Sequence, residues 1–541
     1  MGLENMLSPS LLSGIGEAAG ILVDAIEAQA RIVFVGDFDA DGATSCAVGV
    51  LALKKMGLHN VDYLVPNRFE YGYGLTPEIV GVAAGYQPDL LITVDNGIAS
   101  IDGVTVAREL GMSVIITDHH LPGPELPAAD AIINPNQAGD RFPSKALSGV
   151  GVIFYVMVAV RAALRESGWF KRVDSPVPNL AELLDLVALG TVADLVPLDY
   201  NNRILVAQGL ERIRKGNCRY GIRALLECGK RNINSANASD LAFTVAPRLN
   251  AAGRLEDMSL GIECLITDDM DHARRIARQL DDLNQQRRVI EAEMQSQADE
   301  SLANLESRTE FLDAGLCLYD ESWHQGVVGL IASKIKERTN RPTVVFAPGD
   351  KNELKGSARS ILGLHIRDLL DGIATEHPDL LSKFGGHAMA AGLSLAPHNF
   401  ERFSSIFSEH VRAVMGDEAA QSTLLSDGVV PEEYLGLELA EQIRISGPWG
   451  QGFPEPVFDD EFEVLDQKTV GEEHLKLRVR KVGGKKNFNA IAFRWLRHGF
   501  VPETGSCVHV LYRLDVNDYQ GVRTPQLIVE HLQPVLESRD G

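Results

Sequence analysis

Short apolar runs alternate with amphipathic stretches from residue 31 to about residue 200. Four of the runs are typical of buried strands that end in polar residues: RIVFVGDFD, DLLITVDNG, SVIITDHH and DAIINPN. The intervening stretches, such as SCAVGVLALKKMG and DGVTVARELG, carry apolar residues at helical spacing. Buried strands that alternate with helices predict a parallel α/β sheet. The polar strand ends then meet at the carboxyl edge of the sheet, where open parallel sheets bind ligands.

The next segment, from Ile262 to Ala314, contains neither glycine nor proline. Its apolar residues recur every three or four positions, which predicts one long helix or two nearly continuous ones. The length favours a connector between domains, and an ordinary packed helix is the alternative. A second α/β unit should follow, because LDAGLCLYD and RPTVVFAP are typical of strands and GVVGLIASKIKERTN is typical of a helix.

From about residue 453 the chain is mostly strand-like, with the five alternating runs EFEVLD, HLKLRVRKV, NFNAIAFRW, CVHVLYRLDV and PQLIVEHL. Five short strands separated by turns suggest a small β-barrel of the OB type. We therefore predict an α/β protein with a C-terminal barrel. Its segments are a parallel-sheet domain at 1–261, a long connecting helix at 262–311, a smaller α/β domain at 312–425 and the OB-like domain at 426–541.

The composition narrows the class of protein. Six cysteines are scattered along 541 residues without a CxxC pair, which fits a reduced cytosolic chain and excludes a disulfide scaffold or zinc ribbon. The longest charge-free apolar stretch, Ala146 to Val160, has 15 residues. A bilayer span needs about 20, so this stretch is predicted to be a buried helix. The first residues lack the pattern of a signal peptide, and we expect a cytoplasmic protein without a membrane partner.

The charge is acidic as a whole and basic in places. Lys plus Arg is 51 and Asp plus Glu is 74, a net charge of −23, which argues against an anionic partner. Three segments are nevertheless basic: 476–498 carries +8, 203–231 carries +6 and 331–361 carries +4. Because the Debye length at physiological salt is about 8 Å, a bound strand feels mainly such local patches. The charge therefore predicts that nucleic acid would bind only along a basic path.

Three aspartates follow the first predicted strand at alternate positions. Asp37, Asp39 and Asp41 can point in one direction and converge on a hard cation such as Mg²⁺ or Mn²⁺. A solvated acidic turn is the alternative. An EF-hand is rejected because Val48 occupies the position of the twelfth-residue Glu and because a strand precedes the motif.

The other strand ends add acids and imidazoles to the same edge. Asp95 follows the second strand, and Asp118, His119 and His120 follow the third. Asp194 lies in a strongly apolar helix-like run, where an unpaired carboxylate is costly, so it needs a partner. A metal ion is one such partner and a buried arginine is the other.

Several motifs resemble a known enzyme family. GDFDADG, VDNG, TDHH and GTVADLVP, in that order, are similar to the four motifs of the DHH phosphoesterases. APRLNAAGR at 246–254 and FGGHAMAAG at 384–392 resemble two later signatures, the second belonging to the DHHA1 domain. PNRFEYGYGL at 66–75, WHQGVVG at 323–329 and GPWGQGFPEP at 447–456 resemble the RecJ exonucleases rather than the short oligonucleotidases. The resemblance makes 1–261 a DHH phosphoesterase domain and 312–425 a DHHA1 domain.

The resemblance implies a catalytic centre with two divalent cations, Mn²⁺ or Mg²⁺. Asp39 and Asp41 would bind different ions and Asp95 would bridge them, while His119 and Asp194 would complete the site with Asp41. Two such ions suit phosphodiester hydrolysis because they activate water and stabilise the attacking and leaving oxygens.

Further roles follow from the same resemblance. Val35 stands where related enzymes often carry a histidine, so Asp37 or water would take that place as a ligand. Asp118 would accept a hydrogen bond that orients an imidazole. His120 would then be available as a catalytic residue that binds or protonates a phosphate oxygen.

Candidate substrate-binding residues lie in both α/β units. Arginines are planar, bidentate and always charged, and glycines let main-chain N–H groups approach phosphate closely. A surface salt bridge is the alternative for each arginine and a tight turn for the glycine pair. SGVGVIF around Gly149 and Gly151 suits either a phosphate loop or helix packing. The candidates are His120, Arg68, Arg248, Asn250 and Arg254 in the first unit, and Ser357, Arg359, Gly385, Gly386 and His387 in the second.

The resemblance implies a monomeric single-stranded-DNA-specific 5′→3′ exonuclease acting in DNA recombination and repair. Its substrate would be single-stranded DNA with a 5′ end, and its suggested protein partners are a single-strand-binding protein and a helicase. Phe488, Phe493 and Trp495 of the OB-like tail would stack on bases or fill the barrel core. The rival functions are a nanoRNase, nucleotide phosphatase or pyrophosphatase, none of which needs the long helix and the tail, and an inactive DHH scaffold, which should have lost its ligands.

Overall fold

A computed structural model describes residues 2–66, 74–308, 313–349, 353–386, 388–416, 424–471, 473–498, 500–519 and 522–535. The first domain is built on a five-stranded sheet with the strand order β2-β1-β3-β4-β5, in which all neighbours pair in parallel. The chain leaves β1 toward β2 on one side and returns to β3 on the other. This reversal creates a crevice at the carboxyl ends of β1 and β3. The strands are β1 (Ile32–Gly36), β2 (Val61–Leu64), β3 (Leu90–Val94), β4 (Ser113–Thr117) and β5 (Ala131–Ile133).

Helices cover both faces of this sheet and complete the first domain. Most of the apolar stretch at 146–160 lies in the buried helix α5, which begins at Gly149, so the predicted buried helix is confirmed. The helices are α1 (Ile15–Glu27), α2 (Ala40–Lys55), α3 (Pro77–Ala84), α4 (Ile101–Glu109), α5 (Gly149–Glu166), α6 (Trp169–Arg172), α7 (Leu184–Ala193), α8 (Tyr200–Arg214), α9 (Tyr220–Cys228), α10 (Ala238–Asp240) and α11 (Ala246–Leu255).

The predicted connector consists of two helices, α12 (Ser259–Ile266) and the 39-residue α13 (Met270–Arg308). They are separated at Thr267, whose backbone is extended. The Asp269 side chain accepts the main-chain N–H groups of Asp271 and His272, at 2.9 and 3.2 Å, and so caps the start of α13. The alternative of two nearly continuous helices is therefore confirmed.

The second domain contains a mixed five-stranded sheet with the strand order β6-β7-β8-β10-β9. The pair β6 and β7 is parallel and the remaining pairs are antiparallel. Its elements are β6 (Leu316–Tyr319), α14 (Val328–Thr339), β7 (Thr343–Pro348), β8 (Leu354–Arg359), α15 (Ile366–Glu376), β9 (Lys383–Gly386), β10 (Ala390–Leu395) and α16 (Phe400–Met415).

The C-terminal strands close into a barrel in the order β11-β12-β13-β15-β14, after α17 (Leu437–Ser446). Phe488 and Trp495 belong to the barrel core, whereas Phe493 is 56% exposed. Stacking on bases is therefore open to Phe493 but not to the other two rings. The strands are β11 (Phe458–Val470), β12 (His474–Lys481), β13 (Asn487–Ala492), β14 (Cys507–Tyr519) and β15 (Val522–Pro534).

The architecture confirms the predicted fold class: a parallel-sheet domain, a smaller α/β domain and a C-terminal barrel. Strand β2 is an addition to the prediction, since only Val61 of its four residues is buried and it lacks an apolar run. Within the described residues, no single helix is long and apolar enough to span a membrane, although the bent pair Leu3–Leu11 and Ile15–Glu27 passes that test jointly.

A candidate two-ion metal centre at the sheet edge

The chain leaves β1 directly into the N-terminus of α2. Asp39 is the N-cap of this helix, and its carboxylate accepts the N–H groups of Asp41 at 2.9 Å and Gly42 at 3.1 Å. Asp37 is buried and accepts the N–H of Phe38 at 2.7 Å. A capping carboxylate is favoured here because it satisfies helix N–H groups and lies at the positive end of the helix dipole.

Asp41 lies in the first turn of α2 and is buried. Its two carboxylate oxygens accept the N–H groups of Gly149 at 2.7 Å and Val150 at 2.9 Å, both in the first turn of α5. A Cβ added at Gly190 would lie 2.7 Å from Oδ1 of Asp41. The SGVG segment is therefore the start of a helix that orients a carboxylate, so the N–H groups of Gly149 and Val150 are occupied by Asp41 and not by a phosphate.

Asp95 follows β3 in a strained conformation. Its φ of 63° lies in the left-handed region, which residues other than glycine seldom adopt outside tight turns and functional sites. Its N–H donates to the carbonyl of Thr117 on β4 at 3.0 Å. The Asn96 side chain donates to the carbonyls of Val35 and Val94 at 3.0 and 2.9 Å, which holds the turn against β1.

The end of β4 supplies two histidines. Nε2 of His119 lies 3.0 Å from Oδ1 of Asp95 and 3.4 Å from Oδ2 of Asp194, which ends α7. Nδ1 of His120 lies 2.7 Å from Oδ1 of Asp118. Asp118 also accepts the N–H of Ile98 at 2.9 Å, so this buried carboxylate is fixed beside the His120 ring.

The structure brings the predicted metal ligands together. Their potential ligand atoms form three overlapping groups, within each of which all atoms lie within 4.8 Å of one another. Asp95 and His119 each belong to two groups. The groups are Asp37 with Asp39 and Asp95; Asp41 with His119 and Asp194; and Asp95 with His119 and His120.

The protonation of the cluster explains why it suits a cation. Burial, followed by the charge of Asp39, raises the pKa of Asp41 to about 7. Burial and the neighbouring carboxylates also raise the pKa of Asp95 and of Asp194 well above the usual range. Buried like charges must be neutralised by protons or by a cation. Carboxylate oxygens with imidazole nitrogens fit divalent ions such as Mn²⁺ and Mg²⁺.

Asp118 and His120 form an ion pair beside the carboxylates of that cluster. Burial, the largest single influence, opposes ionisation of both groups, but the hydrogen bond between them and the nearby opposite charges together outweigh it. The pKa of Asp118 falls to about 2 and the pKa of His120 rises to about 9. Because Nδ1 of His120 is engaged with Asp118, a contact with phosphate would be made through Nε2.

The candidate substrate-binding residues of α11 occupy different environments. Oδ1 of Asn250 accepts the N–H of Ala40 at 2.7 Å and so supports the start of α2. Arg248 is buried, with Nη2 2.8 Å from Asp281 and Nη1 donating to a main-chain carbonyl. The contacts of Arg248 thus tie α11 to α13. Asn250 and Arg254 line a cavity of about 640 Å³ between α11, α13, α14 and the barrel.

The candidate residues of the second domain lie on two strands of its sheet. Ser357 and Arg359 are on β8, and Nη1 of Arg359 donates to Oγ of Ser357 at 3.0 Å. Gly385 and Gly386 are on β9, where Gly386 has a φ of 151° and an added Cβ would lie 2.4 Å from the carbonyl of Ala390. Arg68 and His387 lie outside the described residues.

Sequence reasoning missed residues that position the ligands through hydrogen bonds. Gly149 and Val150 hold Asp41. Asn134 and Asn136 follow β5, and their side-chain amides donate to the carbonyls of His120 at 2.8 Å and His119 at 2.6 Å, respectively. The polar end of DAIINPN was the available signal for this pair, because β5 is next to β4 in the sheet.

Three family models match successive parts of the chain. The model described as "DHH family, N-terminal domain" matches residues 31–191, the "DHHA1 domain" matches 312–413, and the "RecJ OB domain" matches 426–531. Together they cover most of the candidate metal centre, with Asp194 just beyond the first match, as well as the second domain and the barrel.

Similar proteins cover nearly the whole chain. The single-stranded-DNA-specific exonuclease RecJ of Dickeya dadantii is 54% identical over 533 residues, which are 98% of this chain and 92% of the relative. The crystal structure of Thermus thermophilus RecJ in complex with Mn²⁺ matches with a TM-score of 0.78 and 30% identity, covering 97% of this chain and 72% of that one. The structure of the same protein with Mg²⁺ matches with a TM-score of 0.72 and 28% identity, covering 97% and 71%. The chain therefore belongs to the RecJ family of single-stranded-DNA-specific exonucleases.

Proposed function

We propose that this chain is a single-stranded-DNA-specific 5′→3′ exonuclease that hydrolyses phosphodiester bonds with two divalent cations, Mn²⁺ or Mg²⁺, and acts in DNA recombination and repair. The observation that carries the proposal is the set of three overlapping groups of potential ligand atoms. Asp95 belongs to two of these groups, and His119 also belongs to two. The activity and its polarity come from membership of the family, while the chemistry comes from the site.

Each residue of the site has a distinct role in this proposal. Asp37 and Asp39 would hold one ion, Asp41, His119 and Asp194 would hold the other, and Asp95 would be shared between them. When bound, the ions supply Lewis-acid stabilisation of the attacking and leaving oxygens and lower the pKa of the attacking water. The main-chain donors of α5 orient the Asp41 carboxylate for this purpose.

The charged groups around the centre bind the substrate. His120 is held by Asp118 with a proton on its ring, which suits it to contact a phosphate oxygen. Arg254 faces the interdomain cavity, where it contacts the backbone of the second domain through the carbonyl of Gly326 at 3.1 Å. Ser357, Arg359, Gly385 and Gly386, with Arg68, Asn250 and His387, complete the phosphate-binding set in this proposal.

The interdomain cavity supports selectivity for unpaired strands. Its walls come from α11, α13, α14 and the barrel, and its volume is about 640 Å³. A single strand can enter such a space, whereas a duplex about 20 Å wide would have to open first. A nanoRNase or phosphatase acts on short substrates, so it would not need the part of this cavity that the barrel lines.

We further infer the surroundings in which the enzyme acts. An exonuclease confined to unpaired strands needs a supply of them, so a helicase and a single-strand-binding protein are the expected partners of a monomeric enzyme. All six cysteines are free thiols, which supports a reducing compartment such as the cytoplasm.

A labelled-substrate time course tests the function. With Mn²⁺, long single-stranded DNA labelled at its 5′ end should lose its label at once as short products, while 3′-labelled DNA should shorten progressively. Asp41→Ala should abolish this activity and retain the fold. Asp62→Ala, which changes an exposed acid on β2, is the matched control and should cleave like the wild type. Hydrolysis of dinucleotides alone, or normal turnover by Asp41→Ala, would refute the proposal.

A further inference from the structure

The segment before the barrel docks on the loop that carries Asp194. Residues 449–453 form a turn, closed by hydrogen bonds from the N–H of Gly450 to the carbonyl of Phe453 at 2.9 Å and from the N–H of Phe453 to the carbonyl of Gly450 at 3.1 Å. The carbonyl of Gln451 accepts the N–H of Leu198 at 2.7 Å. Leu198 belongs to the loop of residues 194–199 that joins α7 to α8.

Two glycines of the 449–453 turn permit this close approach. A Cβ added at Gly450 would lie 2.8 Å from the Leu198 side chain. A Cβ added at Gly452, which has a φ of 70°, would lie 3.2 Å from Pro197. On its other side, the carbonyl of Pro197 accepts the Asn202 side-chain amide at 3.0 Å. The 194–199 loop is therefore fixed between the first domain and the turn.

A stack of side chains joins the turn to both domains. The Phe453 and Trp449 rings stack with their centroids 5.0 Å apart at an angle of 13°. The guanidinium carbon of Arg203 lies 3.6 Å from the centroid of the Phe453 ring. Trp449 packs against the barrel core and donates from its indole N–H to the carbonyl of Ile443 on α17 at 2.9 Å. Phe453 packs against the core of the first domain. Stacking and a cation–π contact therefore connect the barrel to α8.

Asp194 is less enclosed than Asp41 and Asp95. Asp41 and Asp95 are almost fully buried, whereas the Asp194 side chain is 24% exposed. Asp41 is held by two main-chain donors, while Asp194 follows the last turn of α7 and precedes Leu195, which has a φ of 56°. A shift of Leu198 would be transmitted over a few residues to the Asp194 carboxylate.

We propose that the 449–453 turn is a positioning element for the metal ligand Asp194, so that docking of the barrel domain sets the affinity of the metal centre. The inference rests on the proposed function in one respect, namely that Asp194 binds an ion. The turn touches neither the ions nor the substrate in this proposal. It acts through Leu198 and Pro197, as residues that support metal ligands commonly do.

Mn²⁺ binding by the full-length protein tests the proposal, measured by calorimetry and by electron paramagnetic resonance. Phe453→Ala and Arg203→Met should each weaken Mn²⁺ binding by roughly tenfold, the lower range for loss of such supporting contacts. Phe453→Tyr keeps an aromatic ring in the stack and should restore the affinity. Ile445→Ala, at a 74% exposed position on α17, is the matched control and should bind like the wild type.

Kinetics separate positioning from substrate binding. For Phe453→Ala, a higher Mn²⁺ concentration should restore the rate, and the KM for single-stranded DNA should stay unchanged. Wild-type Mn²⁺ affinity in both Phe453→Ala and Arg203→Met would overturn the inference and leave the proposed function intact. A wild-type protein that binds no Mn²⁺ would overturn both. Arg203→Met leaves the barrel sequence unchanged, so it decides the question if Phe453→Ala fails to fold.

Discussion

The carboxylate of Asp41 is held by two N–H groups that lie 108 and 109 residues further along the chain. Burial and the charge of Asp39 nevertheless raise its pKa to about 7, and the pKa values of Asp95 and Asp194 are also raised. Without an ion, these groups take up protons on folding, so the stability of the ion-free protein should fall as pH rises toward 7. The same protons must leave when a divalent cation binds.

We therefore expect Mn²⁺ affinity to increase between about pH 6 and pH 8, and binding to release protons near the lower value. Titration calorimetry in buffers of different ionisation enthalpy measures both quantities. Asp62→Ala should show the same dependence, because its side chain is exposed and lies outside the cluster. A constant affinity without proton release would contradict the protonation of the cluster.

Gly149 illustrates how little space surrounds the ligands. An added Cβ would lie 2.6 Å from the Asp95 side chain. Gly149→Ala should therefore displace this shared ligand and reduce both activity and Mn²⁺ affinity by roughly ten- to a hundredfold. Steady-state rates at several Mn²⁺ concentrations check the prediction.

The control for this change is Gly20→Ala in α1, where no heavy atom lies within 4 Å of the added Cβ. It should leave activity unchanged and stabilise the helix by about 0.5–1 kcal/mol, because alanine loses less backbone entropy than glycine. Equal activity in the two variants would show that the region around Asp95 can adjust.

The secondary-structure elements differ in how well local sequence predicts them. The strands that end in polar residues were predictable, because each apolar run is followed directly by its polar residues in the sequence. Strand β2 lacks such a run, and the break at Thr267 depends on a capping side chain rather than on glycine or proline. The role of the SGVG segment was ambiguous, because its partner Asp41 is distant in sequence. Helix packing and a phosphate loop require the same glycines.

An ion-pair cluster links helix α13 to helix α14 of the second domain. Glu291 lies 2.6 Å from Nη1 of Arg287 on its own helix and 2.6 Å from Nζ of Lys334 on α14. Glu291→Gln would leave the half-buried Arg287 guanidinium without its counter-ion. We expect a destabilisation of about 1–3 kcal/mol, the usual range when a buried polar partner is lost.

Thermal unfolding, together with hydrogen exchange of the α14 amides, measures this effect. Faster exchange should be concentrated in α14, because the ion pairs connect that helix to α13. Glu293→Gln, at an exposed position of α13, should change stability by no more than about 0.5 kcal/mol. If the two variants were equally stable, the cluster would not contribute to domain docking.

The net charge of −23 and the binding of an anionic strand are compatible at the scale of the whole molecule. Acidic residues are concentrated partly at the metal centre, where bound cations offset them, while the segment 476–498 contains eight Lys and Arg and no Asp or Glu. Within β12, Lys476 and Arg478 are exposed and alternate with the buried Leu475 and Leu477. The outer face of β12 therefore carries two exposed positive charges that a DNA backbone could contact.

The contribution of Lys476 and Arg478 to DNA binding can be tested by varying the salt concentration. The double variant Lys476→Ala with Arg478→Ala should weaken binding of single-stranded DNA, because fewer counterions are released on association. The slope of log K against log salt should fall by about 0.7 for each lost phosphate contact. Fluorescence anisotropy in the inactive Asp41→Ala background, over about 50–200 mM NaCl, measures the slope without degradation.

The charge-matched control, Lys54→Ala with Lys171→Ala, removes two exposed lysines of the first domain and should keep the wild-type slope. Equal slopes in the two double variants would mean that the strand does not follow β12, since both remove the same total charge.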